Sequence, residues 1–333
     1  MPTTARRPAI ALLASLAAML LTACGDPKPA ARAAGPARVV VSIPPMEGLI
    51  RPMLPEGAEV RVLCPPGRSV HGYEPTPDDA AAVARADLVV MVGLGLEPGV
   101  ERLLSSRSQS PRRVLRFSEA VGVGSAPAAH DHSEHDHDHE AHDHGHDDHD
   151  GHDGHDHGVD PHLWLDPTLA KRFVGEAANA IVTLPAGADG SGAGDSARVN
   201  AARDELVARL DALDAAYRER LAPLAGRPII TEHMAFARLA ERYGLVVPAV
   251  LRPIEGEPTP EAIAAAVRAV RDLGAPAIFT EPQFDPTLAR RVSEAAGVPL
   301  GVLDPEGAGD YFAMMEKNLA EMVRLLGPGA TGG

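Results

Sequence analysis

Histidine is concentrated in one stretch of this sequence, residues 130–157, here called the histidine tract. It holds twelve of the fifteen histidines and eleven acidic residues, with neither Lys nor Arg. Imidazole and carboxylate groups at this density are metal ligands of borderline hardness, suited to zinc, nickel or copper(II). Because so polar a segment cannot bury a core, we expect a flexible loop with several weak metal sites. Its histidines are His130, His132, His135, His137, His139, His142, His144, His146, His149, His152, His155 and His157.

The three histidines outside the tract, His71, His162 and His233, each have a distinctive setting. His71 and His233 follow predicted strands, and His162 lies just ahead of a predicted helix start. Asp304 also follows a predicted strand. Ligands bind at the carboxyl edge of open α/β sheets. Three imidazoles and one carboxylate meeting at that edge would make a tetrahedral zinc site.

Two further acids compete with Asp304 for the fourth position. Glu281 also follows a predicted strand, and Glu232 directly precedes His233. An acid after a strand is commonly a helix cap. The fourth ligand therefore stays open between Asp304, Glu281 and water, and the alternative role for either glutamate is to hydrogen-bond a ligand residue. Cys64 ends an apolar strand pattern, so we expect a buried hydrophobic side chain there.

The N-terminus has the form of a bacterial secretory signal. Two arginines precede an apolar run of about 13 residues, too short to span a bilayer, and small residues then lead to Cys24. We expect a signal peptide over 1–23, lipidation of Cys24 and a tether over 24–36. The protein would then lie in the periplasm or otherwise outside the cytoplasmic membrane, anchored through its lipid.

The net charge excludes one class of partner. The formal charge is −15, but the tract contributes −11 of it, and the remaining −4 is ordinary for a soluble domain. Basic residues are scattered, so we expect no binding to nucleic acid. The protein is expected to be a monomer.

Strands alternate with helices along the chain, which predicts an α/β fold with parallel-rich sheets flanked by helices. The longest helical pattern, 196–222, has no internal Gly or Pro and would run about 40 Å. We therefore predict an N-terminal lobe over 37–185, which includes the tract, and a C-terminal lobe over 223–333. The long helix joins the two lobes, and the metal site lies in the cleft between them.

Several segments resemble the signature sequences of metal-binding lipoproteins of ABC importers, and of the zinc-uptake, ZnuA-type branch most closely. These segments are VHGYEPTP, DPHLWLDP, TEHMAFARLAERYGL, RPIEGEPTPEAI, IFTEPQFDPTLA and GVLDPEG. The resemblance implies that His71, His162 and His233 are zinc ligands, that Asp304 is the acidic ligand, and that the long helix is a rigid connector. It also implies delivery of Zn²⁺ to an ABC permease. Manganese-type relatives typically carry Glu at the third position, so His233 favours zinc.

Two other functions could use the same fold or the same histidines. A secreted zinc hydrolase would use three histidines with Glu281 or Glu232 as base, but the chain has no HExxH motif and no nucleophile elbow. We therefore expect no enzymatic activity. A manganese-binding or adhesin-type lipoprotein would share the fold and site, and would differ in its metal or its partner.

Overall fold

The computed structural model describes residues 35–105, 113–124, 159–184, 195–252 and 259–327. The expected signal peptide, Cys24 and the histidine tract lie outside the described residues, so the expectations about them stay predictions. Among the described helices, none is long and apolar enough to cross a membrane.

The first half of the chain forms a four-stranded, fully parallel sheet of order β2-β1-β3-β4. The central strands, β1 and β3, are runs of aliphatic residues, as expected for strands covered on both faces. The elements are β1 (Arg38–Val41), α1 (Pro44–Ile50), β2 (Glu59–Val62), α2 (Pro77–Arg85), β3 (Leu88–Met91), α3 (Pro98–Ser105), β4 (Arg113–Arg116), α4 (Phe117–Ala120) and α5 (Pro167–Ile181).

The predicted connecting helix is present as α6 (Ser196–Leu221), which has 26 residues. Asp195 caps its start by accepting a hydrogen bond from the main-chain N–H of Arg198 at 2.9 Å. Apolar side chains at helical spacing form its buried face. They are Leu206, Leu210, Leu213, Tyr217 and Leu221.

The second half of the chain forms another fully parallel sheet, of order β6-β5-β7-β8. Its strands follow the same spatial sequence as those of the first sheet. Its elements are β5 (Pro228–Thr231), α7 (Ala237–Arg242), β6 (Val246–Val250), α8 (Pro260–Asp272), β7 (Ile278–Thr280), α9 (Thr287–Ala296), β8 (Leu300–Val302) and α10 (Tyr311–Leu326). This pattern confirms two parallel sheets with flanking helices, joined by one long helix.

One core cluster of buried apolar side chains runs through both lobes and includes Val41, Tyr217 and Phe279. A smaller cluster in the C-terminal lobe includes Ile230 and Val292. Because the larger cluster crosses from one sheet to the other, burial of apolar surface holds the lobes together.

The segment that follows β8 packs against the N-terminal lobe. The indole N–H of the fully buried Trp164 donates to the carbonyl of Pro305 at 2.6 Å, and the Tyr311 hydroxyl donates to the carbonyl of Trp164 at 2.8 Å. At Gly48 an added Cβ would lie 2.6 Å from the carbonyl oxygen of Gly309, so only glycine permits this approach. The main chain of the segment after β8 therefore packs closely against the N-terminal lobe.

Asp79, the third residue of α2, fixes the loop that carries His71. Its carboxylate accepts hydrogen bonds from the Tyr73 hydroxyl at 2.7 Å, from the main-chain N–H and hydroxyl of Thr76 at 2.8 Å each, and from the Arg61 guanidinium at 2.6 Å. Burial alone would raise the pKa of Asp79, but hydrogen bonds from these three residues outweigh it and lower the pKa to about 2. Thr76 starts α2 with a capping box.

We expect Asp79→Asn to lower the free energy of unfolding at pH 7 by about 1–2 kcal/mol, allowing for solvent screening of the Arg61 pair. The folded-state pKa lies below the usual unfolded value of about 3.9. The stabilisation is therefore present above roughly pH 4 and is lost as the pH falls toward 2. Urea unfolding of both proteins at pH 7 and pH 3 measures the difference.

Asp78→Asn is the matched control, because Asp78 lies in the same first turn but is exposed. It should change the free energy of unfolding little at either pH. An Asp79→Asn effect that is the same at both pH values, or no larger than that of Asp78→Asn, would contradict this account of the loop.

Candidate metal centre

Three imidazole nitrogens converge on one point at the carboxyl edge of the two sheets. The Nε2 atom of His162 lies 3.2 Å from Nε2 of His71 and 3.2 Å from Nε2 of His233. The ligand atoms of the three residues all lie within 4.8 Å of one another. The structure thus brings together the three histidines outside the tract.

Each of the three histidines comes from a different element. His71 lies in the loop between β2 and α2, His162 comes just before a 3₁₀ turn (Leu163–Leu165) that leads into α5, and His233 follows β5. His233 has an extended main chain, with φ −137° and ψ −179°, and a 3₁₀ turn (Met234–Phe236) lies between it and α7. His162 and His233 are 4% and 5% exposed, and His71 is half-buried.

Carboxylates contact two of the three imidazole rings at Nδ1. Oδ1 of Asp160 lies 2.8 Å from Nδ1 of His162 and also accepts the main-chain N–H of His162 at 3.0 Å. The two carboxylate oxygens of Glu281 lie 2.9 and 3.0 Å from Nδ1 of His233. This network assigns the ring proton to Nδ1 in both residues, which leaves the Nε2 lone pairs directed into the centre.

Burial keeps two of the three imidazoles uncharged. Burial, and next the proximity of His162 and His233, lowers the pKa of His71 to about 3. Burial also lowers the pKa of His162, against the opposing effect of Asp160. At neutral pH His71 and His162 therefore offer neutral imidazoles, the form in which histidine binds a metal.

Asp304 does not belong to the three-histidine group. Its Oδ1 accepts hydrogen bonds from the side-chain amide of Gln283 at 2.8 Å and from the main-chain N–H groups of Gly307 and Glu306 at 2.8 and 3.0 Å. It follows β8, as predicted, and its observed contacts organise the segment after that strand. Its role as the acidic ligand stays a prediction.

The two alternative acids differ in their contacts. Glu281, at 1% exposure, lies behind His233. The fully buried Glu232 accepts hydrogen bonds from the Arg252 guanidinium and the Thr280 hydroxyl, each at 2.9 Å. Glu232 is thus part of a buried ion pair in the C-terminal lobe.

Cys64 is buried and unbonded to another cysteine, as its strand pattern predicted. Its Sγ lies 3.4 Å from the carbonyl of Arg68, and burial raises the thiol pKa to about 12. A thiol that keeps its proton is a poor metal ligand.

Two residues next to the site, Asp160 and Glu306, were not predicted from the sequence. Asp160 had a local signal, because it lies two residues before His162 in the segment DPHLWLDP. Glu306 accepts the main-chain N–H of Val70 at 3.1 Å across 236 residues of sequence, a contact that no local pattern reveals.

Comparison with known proteins shows the family to which this chain belongs. The family model for the periplasmic component A of the zinc-uptake complex, ZnuA, matches residues 39–325. The high-affinity zinc uptake system protein ZnuA of Paracoccus denitrificans is 34% identical over 311 residues, which cover 87% of this chain and 90% of that protein.

Zinc-binding lipoprotein AdcA of Streptococcus pneumoniae is 30% identical over 323 residues, which cover 92% of this chain. The match spans 59% of AdcA, so this chain corresponds to little more than half of that relative. The solved structure of the periplasmic zinc binding protein TroA from Treponema pallidum shares the fold, with a TM-score of 0.70 at 22% identity over 88% of this chain and 99% of that one. Since the family model covers nearly all of the described residues, this chain belongs to the ZnuA family of periplasmic zinc-uptake components.

Proposed function

We propose that the protein captures Zn²⁺ outside the cytoplasmic membrane and delivers it to an ABC permease. The observation that carries this proposal is the convergence of three Nε2 atoms at the sheet edge. Carboxylates orient two of these rings, so the site is built before the metal arrives.

The spacing of the nitrogens favours zinc. In a tetrahedral site with Zn–N distances of about 2.0–2.1 Å, the ligand nitrogens lie roughly 3.3–3.4 Å apart. The two closest Nε2 pairs here are each separated by 3.2 Å. Manganese prefers oxygen ligands, so three imidazoles argue against the manganese-binding alternative.

Asp304 is the proposed fourth ligand. It follows β8 at the same sheet edge, and the hydrogen bonds from Gln283 and Gly307 hold its Oδ1. We assign the ligand role to Oδ2. Glu281 is a weaker candidate because both of its oxygens lie within 3.0 Å of Nδ1 of His233.

The proposed activity is binding and release without covalent chemistry. In a hydrolase, Glu281 or Glu232 would have to act as the base beside a metal-bound water. Glu281 is held by His233, and Glu232 is held by Arg252 and Thr280. Neither arrangement suits a general base, which supports a transport role over a hydrolytic one.

The proposed location follows from the sequence and the family. The signal-like residues 1–23 and Cys24 favour export and lipid anchoring, and the matching family is periplasmic. We propose a monomer tethered by its lipid that meets the permease at the membrane. An adhesin of the same fold would bind a host surface instead of a permease.

Replacing a ligand should weaken zinc binding strongly. We expect His71→Ala, His162→Ala and His233→Ala each to weaken the tight site on the order of 100-fold or more, because each removes one of the few bonds to the metal. Titration calorimetry with a competing chelator measures this change. His157→Ala, within the tract, is the control and should leave the tight site unchanged. Unchanged tight binding in either His71→Ala or His233→Ala would refute the ligand set.

Deleting residues 130–157 should leave one tight zinc site. The tract's histidines repeat at close spacing in a polar segment, so we expect them to gather metal weakly and not to preorganise a geometry. We expect the deletion to remove the weak binding events from a calorimetric titration and to slow capture when zinc is scarce, as stopped-flow measurements would show. Loss of the tight site on deletion would mean that the three-histidine centre is not the site of capture.

A further inference from the structure

His71 is held differently from the other two histidines. Asp160 and Glu281 orient His162 and His233 through Nδ1. Within the described part of the chain, no carboxylate contacts the ring of His71, whose contacts are with the other two imidazoles. Its position therefore has to come from its main chain.

Two contacts fix that main chain, one from each lobe. On the side of the N-terminal lobe, the N–H of Tyr73 donates to the carbonyl of Val70 at 3.2 Å, and the Tyr73 hydroxyl is bound by Asp79. On the side of the C-terminal lobe, Oε1 of Glu306 accepts the N–H of Val70 at 3.1 Å. Val70, the residue before His71, is 2% exposed.

Glu306 is an unusual residue to find at this place. It is 4% exposed, and its Oε2 is buried without a hydrogen-bond partner among the described atoms. Burying a carboxyl group with one unsatisfied oxygen costs free energy. The surrounding fold therefore has to hold Glu306 in this position, where it contacts Val70.

The surrounding fold holds Glu306 rigidly. Its main-chain N–H donates to Oδ1 of Asp304 at 3.0 Å, and the carbonyl of the preceding Pro305 accepts the indole N–H of Trp164 at 2.6 Å. The segment after β8 therefore presents Oε1 to the His71 loop from a fixed position.

We propose that Glu306 is a positioning residue for the zinc site, holding the main chain of Val70 from the opposite lobe and so placing Nε2 of His71 at the metal. The proposal rests on the proposed role of His71 as a zinc ligand. Because Val70 and Glu306 belong to different lobes, the bond forms only when the lobes are closed. Closure and the placement of the third imidazole are then one event, and separation of the lobes withdraws His71 from the metal.

Glu306→Leu removes the acceptor, and Glu306→Gln keeps a carbonyl oxygen in its place. We expect the leucine variant to release zinc about tenfold faster. A change of this size in the rate corresponds to the loss of the free energy of one buried hydrogen bond. The glutamine variant should stay within about twofold of the original rate, since the acceptor remains. Stopped-flow release of zinc to a chelator measures both rates.

Glu321→Leu is the matched control. Glu321 also accepts a main-chain N–H, that of Val302 at 3.2 Å, but this contact stays within the C-terminal lobe. The control should leave the zinc release rate unchanged even if it lowers the melting temperature. Release at the original rate in Glu306→Leu, or equal acceleration in the leucine and glutamine variants, would overturn the proposal.

A double-mutant cycle separates positioning from general loosening. In the His71→Ala background, Glu306→Leu should cause no further acceleration, because the residue that it positions is gone. X-ray absorption at the zinc edge should count three imidazoles in the original protein and fewer in Glu306→Leu. If Glu306→Leu accelerates zinc release equally in both backgrounds, the proposed role of Glu306 is wrong. If His71→Ala by itself leaves tight zinc binding unchanged, the proposed ligand set is wrong.

Discussion

Three Nε2 atoms, of which two pairs lie 3.2 Å apart, repel one another when each directs a lone pair at the same point. A cation at that point turns the repulsion into attraction. The arrangement needs fixed tautomers, uncharged rings and a frame that resists the repulsion. Asp160 and Glu281 supply the tautomers, and burial lowers the pKa values of His71 and His162 so that protons do not occupy the metal's place.

The frame consists of two sheets with the same strand order, joined by α6 and by a shared apolar core. Parallel strands leave their carboxyl ends at one edge, and this edge carries the loops with His71 and His233. The segment after β8 adds a polar bridge between the lobes, through Pro305 to Trp164 and through Glu306 to Val70. Burial of apolar surface holds the lobes together, and these directed hydrogen bonds fix the relative position in which the imidazoles meet.

Much of this arrangement could be predicted from the sequence. Setting the tract aside leaves three histidines, and apolar runs place two of them after strands, where the structure has them. The long pattern over 196–222 predicted α6 because it contains no Gly or Pro, and in the structure the apolar residues from Leu206 to Leu221 lie on its buried face. The contacts of Asp304 and Glu306 could not be predicted, since they depend on which main-chain N–H groups a folded segment presents. Asp160 had a readable signal, a carboxylate two residues before a ligand, but only the folded geometry shows it on Nδ1 of His162.

We expect a single zinc ion to bind where the three Nε2 atoms meet. Anomalous scattering at the zinc edge, from crystals grown with one equivalent of metal, tests this most directly. One strong peak should lie about 2.0–2.1 Å from Nε2 of His71, His162 and His233. A peak located elsewhere in the ordered chain, or none at the three histidines while the protein holds its equivalent of zinc, would contradict it.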